Sequence, residues 1–248
     1  MPRLTVTVIT RDESTNIGAA LDSVSWADEI VVVDSKSTDD TVALARQRTE
    51  RVFVRDWPGY SAQKNFAAAQ ASHDWILSLD ADERVTPELA DEIRAVLGQE
   101  PAARGYRIPR VSFYLGRWIR STDWYPDYQL RLYDRRAAAW TGTVHEGLEV
   151  HGPIGRLRAE IQHFSYRDIA DQVQTLDHYS TLSAQQMYER GRRVGMAGLA
   201  ARPCGAFLRN YLAHGGWRDG SIGLVVSVLN SYYVFLKFVK LWELQRRK

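Results

Sequence analysis

Four short apolar segments, separated by polar and helical stretches, constrain the fold of this chain most strongly. They cover residues 4–10, 28–34, 51–54 and 75–80, and they are rich in the apolar and β-branched residues typical of buried strands. The stretch 61–71 between the last two has the pattern of a helix. Strands that alternate with helices predict a parallel sheet joined by right-handed crossovers. We therefore expect an α/β fold.

Polar clusters follow three of the predicted strands. They lie at residues 10–13, 34–35 and 80–83, and the last reads Asp80-Ala81-Asp82-Glu83. The carboxyl ends of parallel strands meet at one edge of the sheet, which is where ligands bind in open α/β folds. Asp-x-Asp offers hard oxygen ligands to Mg²⁺ or Mn²⁺ on a diphosphate, so Asp80 and Asp82 are candidate site residues. A solvated acidic turn before a helix is the alternative.

The first strand is not followed by Gly-x-Gly-x-x-Gly, and the chain has no Gly-Lys-Ser/Thr loop. Neither a Rossmann dinucleotide site nor a P-loop is therefore predicted. Side chains at the sheet edge could hold a nucleotide instead. Asp34 could accept a hydrogen bond from a base edge, and Lys64 could reach a phosphate from the start of a helix. Helix capping or a surface charge would explain each residue equally well.

Composition sets broader limits. The chain has 248 residues, 45% of them hydrophobic, which is enough for a substantial core. The net charge is only +2, yet residues 202–248 carry eight Lys or Arg side chains against two acids, which favours contact with an anionic surface over a neutral one. A solvated helix end is the alternative.

A single cysteine, Cys204, excludes an intrachain disulfide, and no signal-peptide pattern precedes the first strand, so we expect a cytoplasmic protein.

Three segments, Val6–Glu13, Ile30–Thr41 and Leu79–Glu83, together resemble the family-two glycosyltransferases in order and spacing. Residues 124–133 and 143–146 resemble the lipopolysaccharide core β-glucosyltransferase branch of that family. The resemblance implies a GT-A fold, a Rossmann-like and mostly parallel sheet flanked by helices. It also implies inverting transfer of a sugar from a nucleotide-sugar, usually UDP-linked, with Mg²⁺ or Mn²⁺ at the Asp-x-Asp.

Site roles carried over from this resemblance, together with the residues noted above, give the following candidates. The nucleotide-sugar-binding residues are Thr10, Arg11, Glu13, Asp34, Lys64, Asp80 and Ala81, and the metal ligand is Asp82. His145 is a further metal candidate, which could complete the metal shell or hydrogen-bond the diphosphate; a histidine bonded to backbone at the edge of the core is the alternative. Many relatives place an acidic pair followed by an Arg where the general base lies. This chain has only Asp127 there, preceded by Pro126, so Asp127 is the first candidate base and Glu146 the second.

Residues 104–136 interleave eight Arg with eight aromatic side chains. Aromatic faces stack on sugar rings and Arg binds phosphates, which favours an acceptor groove for a phosphorylated glycan, with Trp124, Tyr125 and Arg131 as candidate contacts. A channel for single-stranded nucleic acid uses the same residue types, but the nearby carboxylates would repel its phosphates, so we expect no nucleic acid. The alternative is an antiparallel extension of the sheet with Arg on its solvent face.

From residue 166 the pattern becomes helical, which predicts a catalytic domain over 1–165 and a C-terminal helical extension over 166–248. The charge-free run 220–236 is shorter than the roughly 20 residues of a spanning helix. Aromatic residues beside Lys237 and Lys240 predict a helix lying on the cytoplasmic membrane surface. A core helix or a homo-oligomer interface is the alternative.

These expectations combine into one predicted function: transfer of a hexose, glucose from UDP-glucose, onto a heptose of the lipid-anchored lipopolysaccharide inner core. Two alternatives stay open. The same fold could act on a lipid phosphate, a surface polysaccharide or a protein. The chain could also be a non-enzymatic module that binds nucleotide-sugars or single-stranded nucleic acid.

Overall fold

A computed structural model of the chain describes residues 2–142 and 147–247. They form two compact units. The first contains residues up to 110 and residues 127–163, and the second contains residues 111–126 and those from 164 onward. His145 and Glu146 lie outside the described residues. The division predicted between residues 165 and 166 stays a prediction.

Strands and helices alternate along the first part of the first unit. Its strands are β1 (Leu4–Thr10), β2 (Glu29–Asp34), β3 (Val52–Val54), β4 (Trp75–Asp80) and β5 (Glu83–Val85), and its helices are α1 (Ile17–Asp22), α2 (Thr41–Arg46), α3 (Tyr60–Gln70) and α4 (Pro87–Leu97). The later strands are β6 (Gly105–Tyr114), which belongs to this unit up to Arg110, then β8 (Asp127–Asp134), β9 (Ala138–Thr141), β10 (Gly147–Val150), β11 (Ile154–Arg156) and β12 (Ile161–His163). Both β1 and β4 match their predicted ranges residue for residue.

The sheet of the first unit has the strand order β3-β2-β1-β4-β8-β6-β12-β5. The first four of these strands are parallel, and β8 then pairs antiparallel with both β4 and β6. The aromatic and Arg-rich region therefore includes an antiparallel extension of the sheet. The predicted α/β class is confirmed.

Helices pack on both faces of the parallel strands because successive side chains of each strand point to opposite sides. In β2, Val32 joins a buried cluster with residues of α1 and α4, whereas Val31 and Val33 join a second cluster with Ala67 of α3. A strand buried on both faces needs apolar residues at consecutive positions. This is why the run Ile30–Val33 is recognisable in the sequence.

The second unit is mainly helical. It contains β7 (Arg117–Ile119), α5 (Ile169–Glu189), α6 (Met196–Leu208) and α7 (Gly220–Leu244), with a π-helical turn at Arg209–Ala213. Ala184 of α5 packs against Phe238 and Leu241 of α7. At Gly223 a Cβ atom would lie 1.8 Å from the Gly216 carbonyl oxygen, so only glycine fits this close approach.

One helical stretch of the second unit, Gly216–Leu244, has a mean hydropathy of 1.7. It is the one stretch among the described residues that is long and apolar enough to cross a membrane, judged by length and composition alone. Core helices of soluble proteins share these properties, so length and composition do not distinguish a membrane helix from a core helix here.

Candidate active site

Strand register brings together the polar residues at the carboxyl ends of β1, β2 and β4. Thr10 pairs with Asp34 across β1 and β2, and Ile9 pairs with Asp80 across β1 and β4. These three strand ends therefore form one continuous edge. Three of the residues predicted from separate motifs, Thr10, Asp34 and Asp80, lie along it.

The carboxylate of Asp80 lies between two cations. Lys64 of α3 places its Nζ 3.2 Å from one carboxylate oxygen, and Arg131 of β8 donates a hydrogen bond to the other. Both cations are almost fully buried, at 3% and 4% side-chain exposure, whereas Asp80 is 30% exposed. Lys64 also lies over the ring of Trp140, 4.5 Å from its centroid. The two buried cations therefore hold the Asp80 carboxylate in place, while part of the Asp80 side chain stays open to solvent.

Glu83 links this pair to a second one. Its Oε1 accepts hydrogen bonds from Arg131 at 2.7 Å and from Arg110 at 3.1 Å, and its Oε2 accepts the backbone N–H of Asp80 at 3.0 Å. Arg110 donates to Asp127 through Nε and Nη2, at 2.9 and 2.6 Å. Arg110 and Asp127 face each other in the β6–β8 register. Three acids and three cations thus form one network.

Charge pairing dominates the protonation of Asp80 and Arg131. Burial by itself would raise the pKa of Asp80, but the positive charges of Arg131 and Lys64 outweigh it and hold that pKa well below its usual range. Burial would likewise lower the pKa of Arg131, and the charges of Asp80 and Glu83 reverse the shift and raise it. The pair is therefore ionised at neutral pH.

The loops after β1 and β2 are interlocked by side-chain to backbone hydrogen bonds. The oxygen of Ser37 accepts the Asp12 backbone N–H at 2.8 Å, and Asp12 in turn accepts the Thr38 N–H at 2.7 Å. Thr41 accepts the Glu13 N–H at 2.8 Å. Asp34 is fully buried and accepts the Ser37 N–H at 2.8 Å. Asp34 therefore stabilises the loop after β2 through a buried hydrogen bond.

Asp82 contacts a histidine from a distant part of the chain. The Nε2 of His163 lies 3.1 Å from Asp82 Oδ2, because β12 pairs antiparallel with β5 and sets His163 opposite Glu83. No group of three or more His, Cys, Asp or Glu side chains suited to a metal ion occurs among residues 2–142 and 147–247. Together, Asp82 and His163 could offer a metal ion one oxygen ligand and one nitrogen ligand.

A protein-family comparison identifies the chain. Residues 5–148, more than half of the sequence, match the family described as Glycosyl transferase family 2. The chain belongs to glycosyl transferase family 2. The interlocked loops and the acidic strand end both lie within this family 2 region.

Two relatives match this family 2 protein over almost its whole length. The lipopolysaccharide core biosynthesis glycosyltransferase LpsC of Rhizobium meliloti is 31% identical, with 97% of this chain and 92% of LpsC covered. An uncharacterized glycosyltransferase of Rickettsia typhi is 30% identical, with 98% and 88% covered. Among solved structures, S. aureus TarS 1–349 is similar over 99% of this chain and 91% of that solved chain, with 15% identity and a TM-score of 0.49, too low to bear on function.

The remaining candidate residues of the family 2 site differ in exposure. Ala81 is buried, and Thr10 is buried with an Oγ1 that has no hydrogen-bond partner within the described residues. Arg11 is exposed, with its Nε 3.7 Å from Asp12. Glu13 accepts a hydrogen bond from Asn16 at 2.9 Å. Their predicted roles at the nucleotide-sugar stay predictions.

The three acceptor candidates fall in different units. Arg131 belongs to the first unit and is committed to Asp80 and Glu83. Trp124 and Tyr125 belong to the second unit, where the Trp124 ring packs 5.4 Å from that of Tyr114. The Arg131 side chain is only 4% exposed, which does not favour its predicted contact with an acceptor. That contact stays a prediction.

Sequence reasoning missed His163, Arg110 and the role of Glu83. His163 ends a strand of only three residues, too short to give a pattern, so no signal placed it opposite the Asp-x-Asp. Arg110 was one of eight similar Arg residues. Its place in the network follows from the β6–β8 register and from the acids that pair with it, which the sequence does not show.

Proposed function

We propose that this glycosyltransferase moves a hexose, glucose from UDP-glucose, onto a heptose of the lipopolysaccharide inner core, with inversion at the anomeric carbon. Its similarity to LpsC over 97% of the chain supports the class of acceptor. The choice of UDP and glucose rests on the sequence resemblance to the core β-glucosyltransferases. The observation that carries the proposal is the strand edge at which Thr10, Asp34 and Asp80 converge.

The donor would bind along this edge. Asp80 is held by Lys64 and Arg131 and is 30% exposed, which suits a fixed carboxylate that accepts a hydrogen bond from a ribose hydroxyl. Because Arg131 is buried against Asp80 and Glu83, we assign it a positioning role. The interlocked loops, which carry Arg11 and Glu13, would form the wall beside the base.

Asp82 and His163 fit a divalent ion that is shared with the donor. Mg²⁺ and Mn²⁺ accept carboxylate oxygen, and Mn²⁺ also accepts imidazole, while waters and diphosphate oxygens complete the shell. Two protein ligands are enough for such a site, whereas a closed protein cage needs more. Asp82 and His163 would hold the ion, which when bound would neutralise charge on the leaving diphosphate. His145 stays a further candidate ligand outside the described residues.

Asp127 is the candidate general base. It would remove the proton of the acceptor hydroxyl as that oxygen attacks the anomeric carbon and the bond to the diphosphate breaks. Its carboxylate is oriented by Arg110 and by Gln129, which donates at 2.6 Å, and it is 32% exposed. Its orientation and its access to solvent support this assignment. Glu146 stays the alternative.

The second unit would bring the enzyme to its lipid-anchored acceptor. Along α7, the side chains of Leu224, Val228, Tyr232 and Phe235 are each 40–48% exposed and recur at steps of three or four, so they share one face. Cations lie over aromatic rings in the same unit, with Arg246 4.0 Å from the Trp242 ring centroid. Apolar residues beside such pairs are typical of helices at an anionic membrane surface.

Calorimetric titration with a panel of nucleotide-sugars, with and without Mn²⁺, tests the donor and metal assignments. UDP-glucose should bind more tightly than other donors, and only with metal. Asp82→Ala should weaken the metal-dependent binding at least about 10- to 100-fold, the loss that removal of an outer-shell partner of a metal ligand already causes. Asp91→Ala, which removes a 77%-exposed carboxylate in α4, is the matched control and should bind as the wild type does. Equal binding by Asp82→Ala and wild type would contradict the metal role.

A further inference from the structure

The segment 120–126 of the second unit joins β7 to the start of β8, and it carries the acceptor candidates Trp124 and Tyr125. Its backbone follows an uncommon path. Thr122 has a φ of 65° and is 1% exposed, a left-handed conformation that a β-branched residue adopts only when its surroundings enforce it. The surroundings that do so lie in the C-terminal helices.

Asn210, in the π-helical turn, is the centre of these contacts. It is fully buried, and its side chain makes four hydrogen bonds. Oδ1 accepts from the Asp123 backbone N–H at 2.8 Å and from Asn230 at 3.2 Å, while Nδ2 donates to the Asp123 carboxylate and to the Ala206 carbonyl, both at 3.0 Å. An amide with every group paired fixes its partners in one geometry. Single π-helical turns also recur at functional sites.

Asp219 holds the other end of the segment. Its 6%-exposed carboxylate accepts the Ser121 hydroxyl at 2.5 Å and the Arg120 backbone N–H at 3.1 Å. The backbone of Thr122 also donates to the His214 carbonyl at 3.1 Å. Buried and directional polar contacts thus tie segment 120–126 to the turn and to the residues just before α7.

The tied segment presents a cation beside an aromatic ring. Arg120 is exposed, its Cζ lies 5.5 Å from the Tyr125 ring centroid, and its Nη1 lies 3.5 Å from the Tyr125 hydroxyl. An aromatic face stacks on a sugar ring, and a guanidinium pairs with a phosphate or carboxylate on that sugar. The two groups together match an anionic sugar.

We propose that Asn210 and Asp219 are positioning residues for acceptor binding, which hold segment 120–126 so that Arg120 and Tyr125 meet an anionic sugar of the acceptor. This inference rests on the proposed function. It gives the C-terminal helices a second task that does not depend on a membrane. A change in this network should therefore alter acceptor binding and leave donor binding intact.

Two variants test the proposal in the full-length protein. Asn210→Asp keeps the shape of the side chain but turns a carboxylate toward that of Asp123. Asp123→Ala removes a half-exposed side chain that contacts Asn210, Arg209 and His214, so it leaves the buried core of the unit intact. Asp177→Ala is the matched control, because it removes an exposed carboxylate of α5 that pairs with Lys240.

The measurements are steady-state kinetics with a deacylated, phosphorylated, heptose-bearing oligosaccharide, and hydrogen exchange of peptides that cover residues 117–126. Both variants should exchange faster there and raise the acceptor KM about tenfold, with the donor KM unchanged. The control should match the wild type in both. Unaltered exchange, or faster exchange with an unchanged acceptor KM, would overturn the positioning role. Absence of transfer by the wild type would instead contradict the proposed function, and exchange would still decide whether the network holds the segment.

Discussion

Arg131 is the residue on which the acidic strand end most depends. Asp80 and Glu83 would be two carboxylates close together in a largely buried place, which is unfavourable unless cations pair with them. Arg131 contacts both, and its own exposure is 4%. The sequence offers Arg131 as a candidate acceptor contact, and only the structure shows that its side chain is buried against two acids.

Replacement of this residue should destabilise the protein strongly. Arg131→Met keeps much of the side-chain volume but leaves Asp80 and Glu83 short of one charge partner. We expect a loss of about 3–5 kcal/mol in the free energy of unfolding, measured by urea titration. Arg94→Met removes a surface pair with Asp91 and should cost at most about 1 kcal/mol. Similar losses in the two variants would contradict the central place of Arg131.

Asp80 should also make the stability depend on acid pH. Its pKa is lower in the folded protein than in the unfolded chain, so its contribution is complete above the unfolded value, about 3.9, and is lost as the pH falls below it. The free energy of unfolding should therefore fall more steeply below pH 4 in the wild type than in Asp80→Asn. Acid titrations followed by circular dichroism measure this difference, and parallel curves would count against it.

Elements of the molecule differed in how far they could be predicted. β1 and β4 were found residue for residue, because strands buried on both faces are rich in apolar and β-branched residues. The helix predicted at 61–71 is α3, Tyr60–Gln70. The contact between Asp82 and His163 could not be predicted, since it depends on pairing between two three-residue strands far apart in the chain.

The same limit applies to the region 104–136. Its Arg and aromatic residues indicate an acceptor groove. In the structure, however, the Arg residues of this region lie in different environments. Arg110 and Arg131 face inward and pair with acids, whereas Arg120 is exposed. Composition cannot show which Arg of a strand points inward when acids from other strands provide the partners. Register and pairing decide that, and both need the fold.

The exposed apolar face of α7 leads to a prediction about membrane association. Val228→Asp combined with Phe235→Asp places two charges on that face, so the full chain should lose most of its binding to vesicles containing phosphatidylglycerol. Cosedimentation measures the bound fraction. Leu182→Asp changes a similarly exposed residue of α5 and serves as control. If the double variant bound vesicles like the wild type, the α7 face would not be the membrane contact.

The molecule as a whole combines the polar strand edge of the first unit, where we propose that the donor binds, with a basic and aromatic second unit. Its net charge of +2 conceals this division, because eight of its cations lie in residues 202–248. Family membership follows from the match over residues 5–148, all of which lie before the helical extension. LpsC and the Rickettsia typhi relative match 97% and 98% of this chain, so the similarity includes the C-terminal helices. The helical region therefore belongs to the enzyme as found in these relatives.

Sugar transfer itself tests the central claim most directly. The purified full-length protein is incubated with UDP-glucose, Mn²⁺ or Mg²⁺ and a heptose-bearing inner-core acceptor, and UDP release is measured alongside the mass of the acceptor. We predict one hexose added per UDP released and dependence on the metal. We also predict a rate at least about 100-fold lower in Asp82→Ala, because a bound metal contributes several kcal/mol of charge stabilisation. Release of UDP without a glycosylated acceptor, or full activity in Asp82→Ala, would contradict the account.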